Sequence, residues 1–387
     1  MATGKTYADV AVDYDKIDPF KRMALELFEP TLTYPERLGI RILRSSGGLT
    51  ASVFDVETRG RPRMRLALNL EGLGTKNLIA DELHAKRDVA DAAYAQLGLA
   101  GYRCVGQDTA AMSVIDLGAV GADPFIYGDI IAVATDKWFE DMDRSRALLQ
   151  GYRDAADIGR FAIPLGETPV LRDVIVLGTA DLAGASVGLI NPADRYTTGS
   201  KITEGDAIFG LSAPGPNANG ISKIRKMAAA MKEGYLTKMS DSRTLAEGVL
   251  VPTPIYARPV IDMFDAGVDV HGLQPITGHG WSKIARPKED WTYAVKNVPE
   301  PPLVFRELVK WGPELRFENE PFETGPKENY FVWNMGIGFV VIAPHEFEET
   351  VRECAMKYGI ETHYLGKVAK GERKVIMEPF GFAYTPK

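Results

Sequence analysis

The chain has 387 residues, 45% hydrophobic and 25% charged, which suits a two-domain globular protein with sizeable cores. A formal net charge of −7 speaks against a nucleic-acid footprint, and no apolar run approaches the ~18 residues of a membrane span, so neither nucleic acid nor membrane is an expected partner. Two distant cysteines, five histidines without metal-ligand spacing and an acidic start without an apolar signal core exclude a zinc site and a secretory leader, leaving a cytoplasmic protein as the expectation.

Residues 1–35 are polar and broken by Pro19, Pro30 and Pro35, which predicts an N-terminal arm. Within it, Asp18 as N-cap, Pro19 at the first helical position and Phe20, Met23, Ala24 and Leu27 on one face predict a helix over 18–28. From residue 39 the pattern becomes α/β. Strands are expected over 52–56 and 66–70, and helices over 81–97 and 108–121. In the second helix Asp108 and Asp116 are eight positions apart and share one side, about two turns apart. Carboxylates beside an apolar stripe are costly to bury unpaired, so these are either solvated at the helix edge or paired with a cation or metal.

A turn at 122–124 precedes an expected strand over 130–134, and Asp136 is placed to cap a helix running to 156. Segments 174–177 and 186–190 read as strands. Residues 191–205 (NPADRYTTGSKITEG) form the expected linker between domains of 36–190 and 206–387. Past the linker come a strand over 207–211, a loop over 212–220 (SAPGPNANG) and an amphipathic helix from Ile221 closing near Gly234. Another helix opens at Thr253-Pro254 and is expected to bend at Pro259. Segment 268–273 leads into PITGHG, and NMGIG precedes a strand over 339–343. A helix over 344–358 and strands over 362–368 and 374–377 complete the pattern, which predicts an α/β (α+β) fold.

Two stretches carry chemistry on local grounds. In Glu71-Gly72-Leu73-Gly74-Thr75-Lys76 the glycines permit close backbone approach, the carboxylate suits Mg²⁺ and the lysine suits phosphate, although the spacing is not that of a P-loop. Loop 212–220 feeds a helix N-terminus, where free N–H groups and the dipole favour an anion; it reads equally as an irregular connection.

With several others, these stretches follow the order of aminoimidazole ribonucleotide synthetase, the phosphoribosylformylglycinamidine cyclo-ligase of purine synthesis. VDYDK resembles that family's V-D-I-D, NLEGLGTK its T-D-G-V-G-T-K, LGETP its G-G-E-T and TADLAGASVG its Y-D-V-A-G-F-x-V-G. QDTAAMSVIDLGAVGADP resembles D-x-x-A-M-x-x-N-D-L-x-x-x-G-A-x-P, SAPGPNANGISKIRK resembles S-x-G-x-H-S-N-G-x-S-x-x-R, VPTPIY resembles A-P-T-x-I-Y, PITGHG resembles H-L-T-G-G-G, and NMGIGFVV resembles F-N-x-G-x-G-M.

The resemblance implies an N-terminal sheet that joins a second copy in a barrel, hence a homodimer. It implies ATP and Mg²⁺, and a phosphorylated small-molecule substrate whose amide oxygen is phosphorylated before a ring amine attacks and expels phosphate. By motif position it implies catalytic Lys76, Asp108 and Glu167; ATP or phosphate contacts at Asp15, Gly72, Gly74, Thr75 and Lys76; and metal ligands Glu71, Asp116 and Asp181. Ser212, Gly215, Asn217, Asn219, Gly220, Thr277 and Gly278 would contact substrate. Glu71 stands where the family has Asp, Ile115 where it has Asn, Leu165 where it has Gly, and Asn217 and Pro275 where it has histidines. Asparagine cannot act as an imidazolium, so His279, in the same loop as Pro275, is the expected catalytic imidazole, with His271 the other nearby one. Other readings are another amide- or acid-activating phosphotransfer enzyme of this superfamily, and a nucleotide-binding scaffold without catalysis.

Overall fold

The computed structural model describes residues 5–6, 33–34, 36, 40–46, 51–57, 64–86 and 92–385. The expected arm helix over 18–28 and Asp15 lie outside these residues. The first sheet contains β1 (Ile40–Ile42), β2 (Ser52–Val56), β3 (Met64–Gly72), β4 (Asp123–Val133), β5 (Ala162–Glu167) and β6 (Ala180–Ile190), in the order β1-β2-β3-β6-β4-β5. Its pairs are antiparallel except β4 with β5. The expected turn at 122–124 is instead the start of β4. Pro124 sits where the register to β6 shifts, so the strand accepts it at an irregularity.

Three helices accompany this sheet: α1 (Asn77–Ala85), α2 (Ala92–Gly118) and α3 (Met142–Gly159). α2 is the spine of the molecule, because every residue from Gly101 to Gly118 except Arg103 is buried. Its small and apolar run, with Ala110, Ala111, Val114, Ile115 and Leu117, suits a helix covered on all sides. At the crossing with α3, a Cβ on Gly151 would stand 1.9 Å from the Arg103 carbonyl oxygen, and one on Gly106 2.2 Å from that of Leu148. Glycine at both positions lets the two backbones touch. α3 starts at Asp141, whose Oδ1 accepts the Arg144 N–H (3.1 Å), while Asp136–Glu140 form a 3-10 turn ahead of it. Segment 174–177 is an exposed loop and not the expected strand, since it has no partner strand among the described residues.

The second sheet has seven strands. Going along the chain, β7 (Ala207–Ser212) is followed by α4 (Ile221–Ala229), α5 (Leu245–Val249), α6 (Ala257–Asp265), β8 (Gly272–Pro275) and β9 (Trp291–Val295). Then come α7 (Leu303–Trp311), a small hairpin of β10 (Arg316–Phe317) and β11 (Glu320–Pro321), and α8 (Pro326–Val332). The chain finishes with β12 (Ile337–Ala343), α9 (Glu348–Met356), β13 (Thr362–Lys370), β14 (Lys374–Met377) and β15 (Phe382–Tyr384). The strand order is β15-β14-β9-β13-β7-β12-β8. Pro259 is the third residue of α6, in its first turn, where no intrahelical N–H bond is due, so no bend is required.

β12 is buried along its whole length and feeds two cores. Phe339, Val341 and Ala343 pack with α2, α6 and α9, whereas Val340 and Ile342 pack with Ile224 and Met227 of α4. The first core runs across both sheets, joining Tyr102, Val105 and Ile115 of α2 to Phe209, Tyr256 and Phe339. The second sheet is therefore covered on both faces. The first sheet is covered on one: Leu68, Leu70, Ile130 and Leu165 are exposed on the other, Leu70 by 69% and Leu165 by 64%. Cross-strand partners Leu66–Leu189, Leu68–Val187 and Ile126–Val187 make that open face continuous and apolar.

Candidate functional site

Asp108, Met112 and Asp116 repeat every four residues along α2 and line one side of it, spanning roughly 12 Å. The end of β3 and the start of α1 approach this side from the first sheet, and loops that follow strands of the second sheet lie against it. The chemistry changes along the line.

At one end lies Lys76, which caps the start of α1 and is completely buried. Its Nζ donates to Asp108 Oδ2 (2.5 Å) and to the Val251 carbonyl (3.0 Å). Asp108 Oδ1 accepts the Thr253 backbone N–H (2.7 Å), and the Cys104 thiol donates to Oδ2 (3.8 Å). Burial pulls the Lys76 ammonium down, but Asp108 and Cys104 outweigh it and hold the group above its ordinary value. Of the two alternatives for Asp108, solvation or pairing, the structure takes pairing with a cation: in this state the Lys76 ammonium is held in a buried ion pair, and both Asp108 oxygens accept from protein donors. The physical reason is position: the strand-to-helix turn folds Lys76 inward under segment 251–253, while Gly74 (φ 78°) and Glu71 stay on the outside.

In the middle, Asn219 Nδ2 points at Met112 Sδ (3.9 Å), and the Thr75 hydroxyl meets the Ser222 hydroxyl of α4 (3.0 Å). Three glycine loops brace one another here. Asn334 Nδ2 donates to the Gly215 carbonyl (2.9 Å), Trp333 Nε1 to that of Gly220 (3.2 Å) and Trp281 Nε1 to that of Asn334 (2.8 Å). Asn217 is buried with φ 54°, beside the Tyr256 hydroxyl, which itself donates to the Ser212 carbonyl (2.8 Å).

At the other end Asp116, 8% exposed, accepts from Asn69 Nδ2 of β3 (3.2 Å). Burial pushes its carboxyl up to about 7; Lys283 and Arg286 oppose the rise and Glu71 adds to it. Lys283 and Arg286 come from the 3-10 turn Gly280–Ala285 and the residue after it, immediately behind Thr277 and Gly278, and the Lys283 ammonium donates to the Thr277 hydroxyl. Burial pulls the Arg286 guanidinium down, and Asp116 and Glu71 oppose that. Lys283 and Arg286, from a turn beside the second sheet, thus act electrostatically on the carboxylate of Asp116, and Arg286 also on Glu71. Asn69, Lys283 and Arg286 were missed in the sequence. The only available signal was the Lys-x-x-Arg spacing just after PITGHG, which fits an ordinary solvated turn equally well.

Glu167 and Asp181 are not brought to this end. Leu182 packs into the core beside α2, so its neighbour Asp181 points through the opposite face of the sheet and is exposed. Glu167 is in register with Ile130 and shares that outer face. His279 (φ 68°), half-buried, turns its ring edge-on to Phe331, with centroids 5.7 Å apart. His271 is clamped between Asp206 (2.7 Å) and Asp269 (3.0 Å), which ties β8 to the start of β7. Ser212 and Gly336 open onto a separate cavity of about 720 Å³, whose walls include Gln107, Pro302, Glu361 and His363.

No family model matches the chain. Among curated proteins, the phosphoribosylformylglycinamidine cyclo-ligase of Methanocaldococcus jannaschii is 34% identical over 78% of this chain and 78% of its own length. That of Pyrococcus furiosus is 30% identical over 98% of this chain and 99% of its own. The chain belongs to the phosphoribosylformylglycinamidine cyclo-ligase family. A crystal structure of the hydrogenase maturation protein HypE in complex with ATP shares the fold, with a TM-score of 0.51 and 17% identity over 72% of this chain and 78% of that one.

Set within the cyclo-ligase family, two of the departures have structural explanations. Pro275 ends β8, the edge strand of its sheet, where a missing N–H breaks no necessary ladder bond. Asn217 takes a left-handed backbone, which asparagine tolerates better than most residues. Neither position supplies a titratable group to the cleft; among the described residues Lys283 and Arg286 are the cations that act on Asp116.

Proposed function

We infer that this chain is an ATP-dependent ligase that closes formylglycinamidine ribonucleotide to aminoimidazole ribonucleotide, with phosphate as leaving group. The observation that carries this reading is identity of 30% with a cyclo-ligase over 98% of the chain. An amide oxygen is a poor leaving group until phosphorylated. The protein's work is therefore to align two anionic substrates, offset their charge and exclude water. The cleft suits that work: the glycine loops hold one another through side-chain-to-backbone bonds, so the walls are preorganised before substrate arrives.

Among the described residues no three His, Cys, Asp or Glu side chains form a metal cage. Glu71 and Asp116, which act on each other electrostatically, give a two-carboxylate set. That set fits Mg²⁺, which takes one or two carboxylates and completes its shell with phosphate and water. When bound, the ion offsets charge on the transferring phosphoryl group. Asn69 orients Asp116, and exposed Gly74 lets a nucleotide approach the backbone of the β3–α1 turn.

We also propose a homodimer built on the open face of the first sheet. The exposed Leu68, Leu70, Ile130 and Leu165 form an apolar surface of the kind that marks an association site. Two buried free thiols fit a reducing, cytoplasmic setting. No helix among the described residues is long and apolar enough to cross a membrane.

The test is phosphate release from ATP·Mg²⁺ with and without formylglycinamidine ribonucleotide. Release that depends on the ribonucleotide, with aminoimidazole ribonucleotide formed in equal amount, supports the reading. Tight ATP binding without such release identifies a nucleotide-binding protein acting on another acid or amide, or on none.

A further inference from the structure

We propose that the cavity behind Ser212 and Gly336 is a second small-molecule site, and that it takes an organic cation, an ammonium or amidinium group on an apolar body. The inference does not rest on the cyclo-ligase reading. At about 720 Å³ the cavity falls within the roughly 300–1,000 Å³ of small-molecule sites. It is not part of the cleft. Gln107, on its α2 wall, lies nine positions before Asp116, about two and a half turns, and therefore on the opposite side of the helix. The remaining walls come from the end of α3, the approaches to α6 and α7, and the turn from α9 into β13.

A buried group points to the ligand. Gln107 is 9% exposed, and its Nε2 donates to the Thr253 carbonyl (3.0 Å). That bond fixes the orientation of the amide, because its nitrogen and not its oxygen must face a carbonyl. Oε1 is then left on the cavity with no partner among the described residues. The donors that would suit an anion are missing or spent. No lysine or arginine lines the cavity, and Pro214, Pro254, Pro299 and Pro302 have no N–H. The Gly336 N–H goes to Asn334 Oδ1 (2.8 Å), that of Ala213 to the Gly336 carbonyl (2.8 Å) and that of Glu361 to Ser212 Oγ (2.9 Å). The Tyr358 hydroxyl goes to Asp262 (3.0 Å), which leaves the Ser212 hydroxyl and the His363 imidazole as side-chain donors. At the rim Glu300 is held by Arg306 (2.7 Å), whereas Glu361 has a loose ion pair with His363 (3.9 Å). The cavity therefore offers a buried neutral acceptor and an exposed carboxylate to a ligand rich in N–H, and Ile255 and Ile360 to its apolar body. A phosphorylated nucleotide finds no cationic cradle there.

Benzamidine, neutral benzamide and anionic benzoate share one body and differ in the head group, so calorimetric titration of the full chain with each reads the ligand class directly. Benzamidine should bind saturably at one site, benzamide at least about tenfold more weakly, and benzoate not at all. Gln107→Met keeps the length of the side chain and removes the acceptor; it should weaken benzamidine by on the order of tenfold. Since that change also releases Thr253, Glu361→Gln is the second variant. The Glu361 side chain is 74% exposed, so the fold is not at stake, and the loss expected is about threefold. Neither ATP·Mg²⁺ nor formylglycinamidine ribonucleotide should displace the probe. Absence of saturable benzamidine binding overturns the proposal, as does benzoate binding of equal strength. Benzamidine affinity unchanged in Glu361→Gln, or in folded Gln107→Met, places the probe elsewhere and overturns it too. Displacement by either nucleotide would make the cavity part of the cleft, with the same consequence. Failure of the chain to release phosphate with the ribonucleotide would refute the cyclo-ligase reading and leave these titrations untouched.

Discussion

Lys76→Met tests whether the ammonium holds the interior together or serves phosphate. In the folded chain both Lys76 and Asp108 are fully buried and joined at 2.5 Å. Removing the ammonium strands a buried carboxylate with the Thr253 N–H and the Cys104 thiol as its remaining donors. Breaking a buried pair from one side costs ~3–5 kcal/mol, and the retained N–H places this case near the lower end. Asp108→Asn strands the ammonium on the Val251 carbonyl and should cost about as much. Removing both charges together in Lys76→Met/Asp108→Asn should cost less than the sum of the single changes by ~1–3 kcal/mol, since neither partner is then left charged and alone. Urea unfolding followed by circular dichroism, with midpoints compared at constant slope, measures each corner of the cycle. The reasoning is refuted if Lys76→Met unfolds within ~0.5 kcal/mol of wild type while losing ATP affinity. That outcome would assign the ammonium to nucleotide and make the pair with Asp108 incidental.

Asp81 offers a test by pH. It is buried and accepts the Tyr102 hydroxyl (2.5 Å), and burial pushes its carboxyl up to about 7. The folded state then binds a proton more tightly than the unfolded state, so this contribution is full below about pH 4 and is lost as pH rises through about 7. The melting temperature of wild type relative to Asp81→Asn should therefore fall between pH 5 and pH 8, and a pH-independent difference would contradict the assignment. Gly151→Ala places a methyl group 1.9 Å from the Arg103 carbonyl oxygen, and is expected to cost at least ~1–3 kcal/mol by forcing α3 off α2; an unchanged unfolding midpoint would show that the crossing is loose. Leu68→Glu on the open sheet face should convert a dimer to monomer in light scattering with the fold intact by circular dichroism, whereas a variant that stays dimeric places the interface elsewhere. Asp181→Asn should leave the Mg²⁺ concentration dependence of phosphate release unchanged and Asp116→Asn should shift it; equal shifts would mean that the acid on the outer face reaches the metal after all.

Much of this molecule was legible in one dimension. The continuous apolar runs of β7 and β12, the alternating burial of β3 and the apolar stripe of α4 are local patterns, and ordered motifs from NLEGLGTK to NMGIGFVV named the family because each is contiguous in the chain. Where local signals compete, the reading slipped by a few residues. Asp136 and Asp141 are both good caps, and only the Arg144 amide shows which one is used. Val174, Val176 and Leu177 have the composition of a strand, but a strand exists only if a neighbour pairs with it.

The site was less legible, because its logic lies in directions and not in spacings. Asp181 and Leu182 differ by one position and by an entire sheet face, a consequence of the pleat that only burial resolves. Lys76 looked like a phosphate ligand because glycines flank it, but the turn folded its ammonium onto Asp108, 32 positions away. Lys283 and Arg286 carried only a Lys-x-x-Arg spacing that fits an ordinary turn equally well; they joined the site because the fold brings their charges to act on Asp116. Sequence determined the chemistry available and the order of the elements. The packing of the two sheets along α2 decided which charges are consumed in the interior and which face the cleft, because Coulomb energy depends on separation and burial, and neither is written in the spacing of residues along the chain.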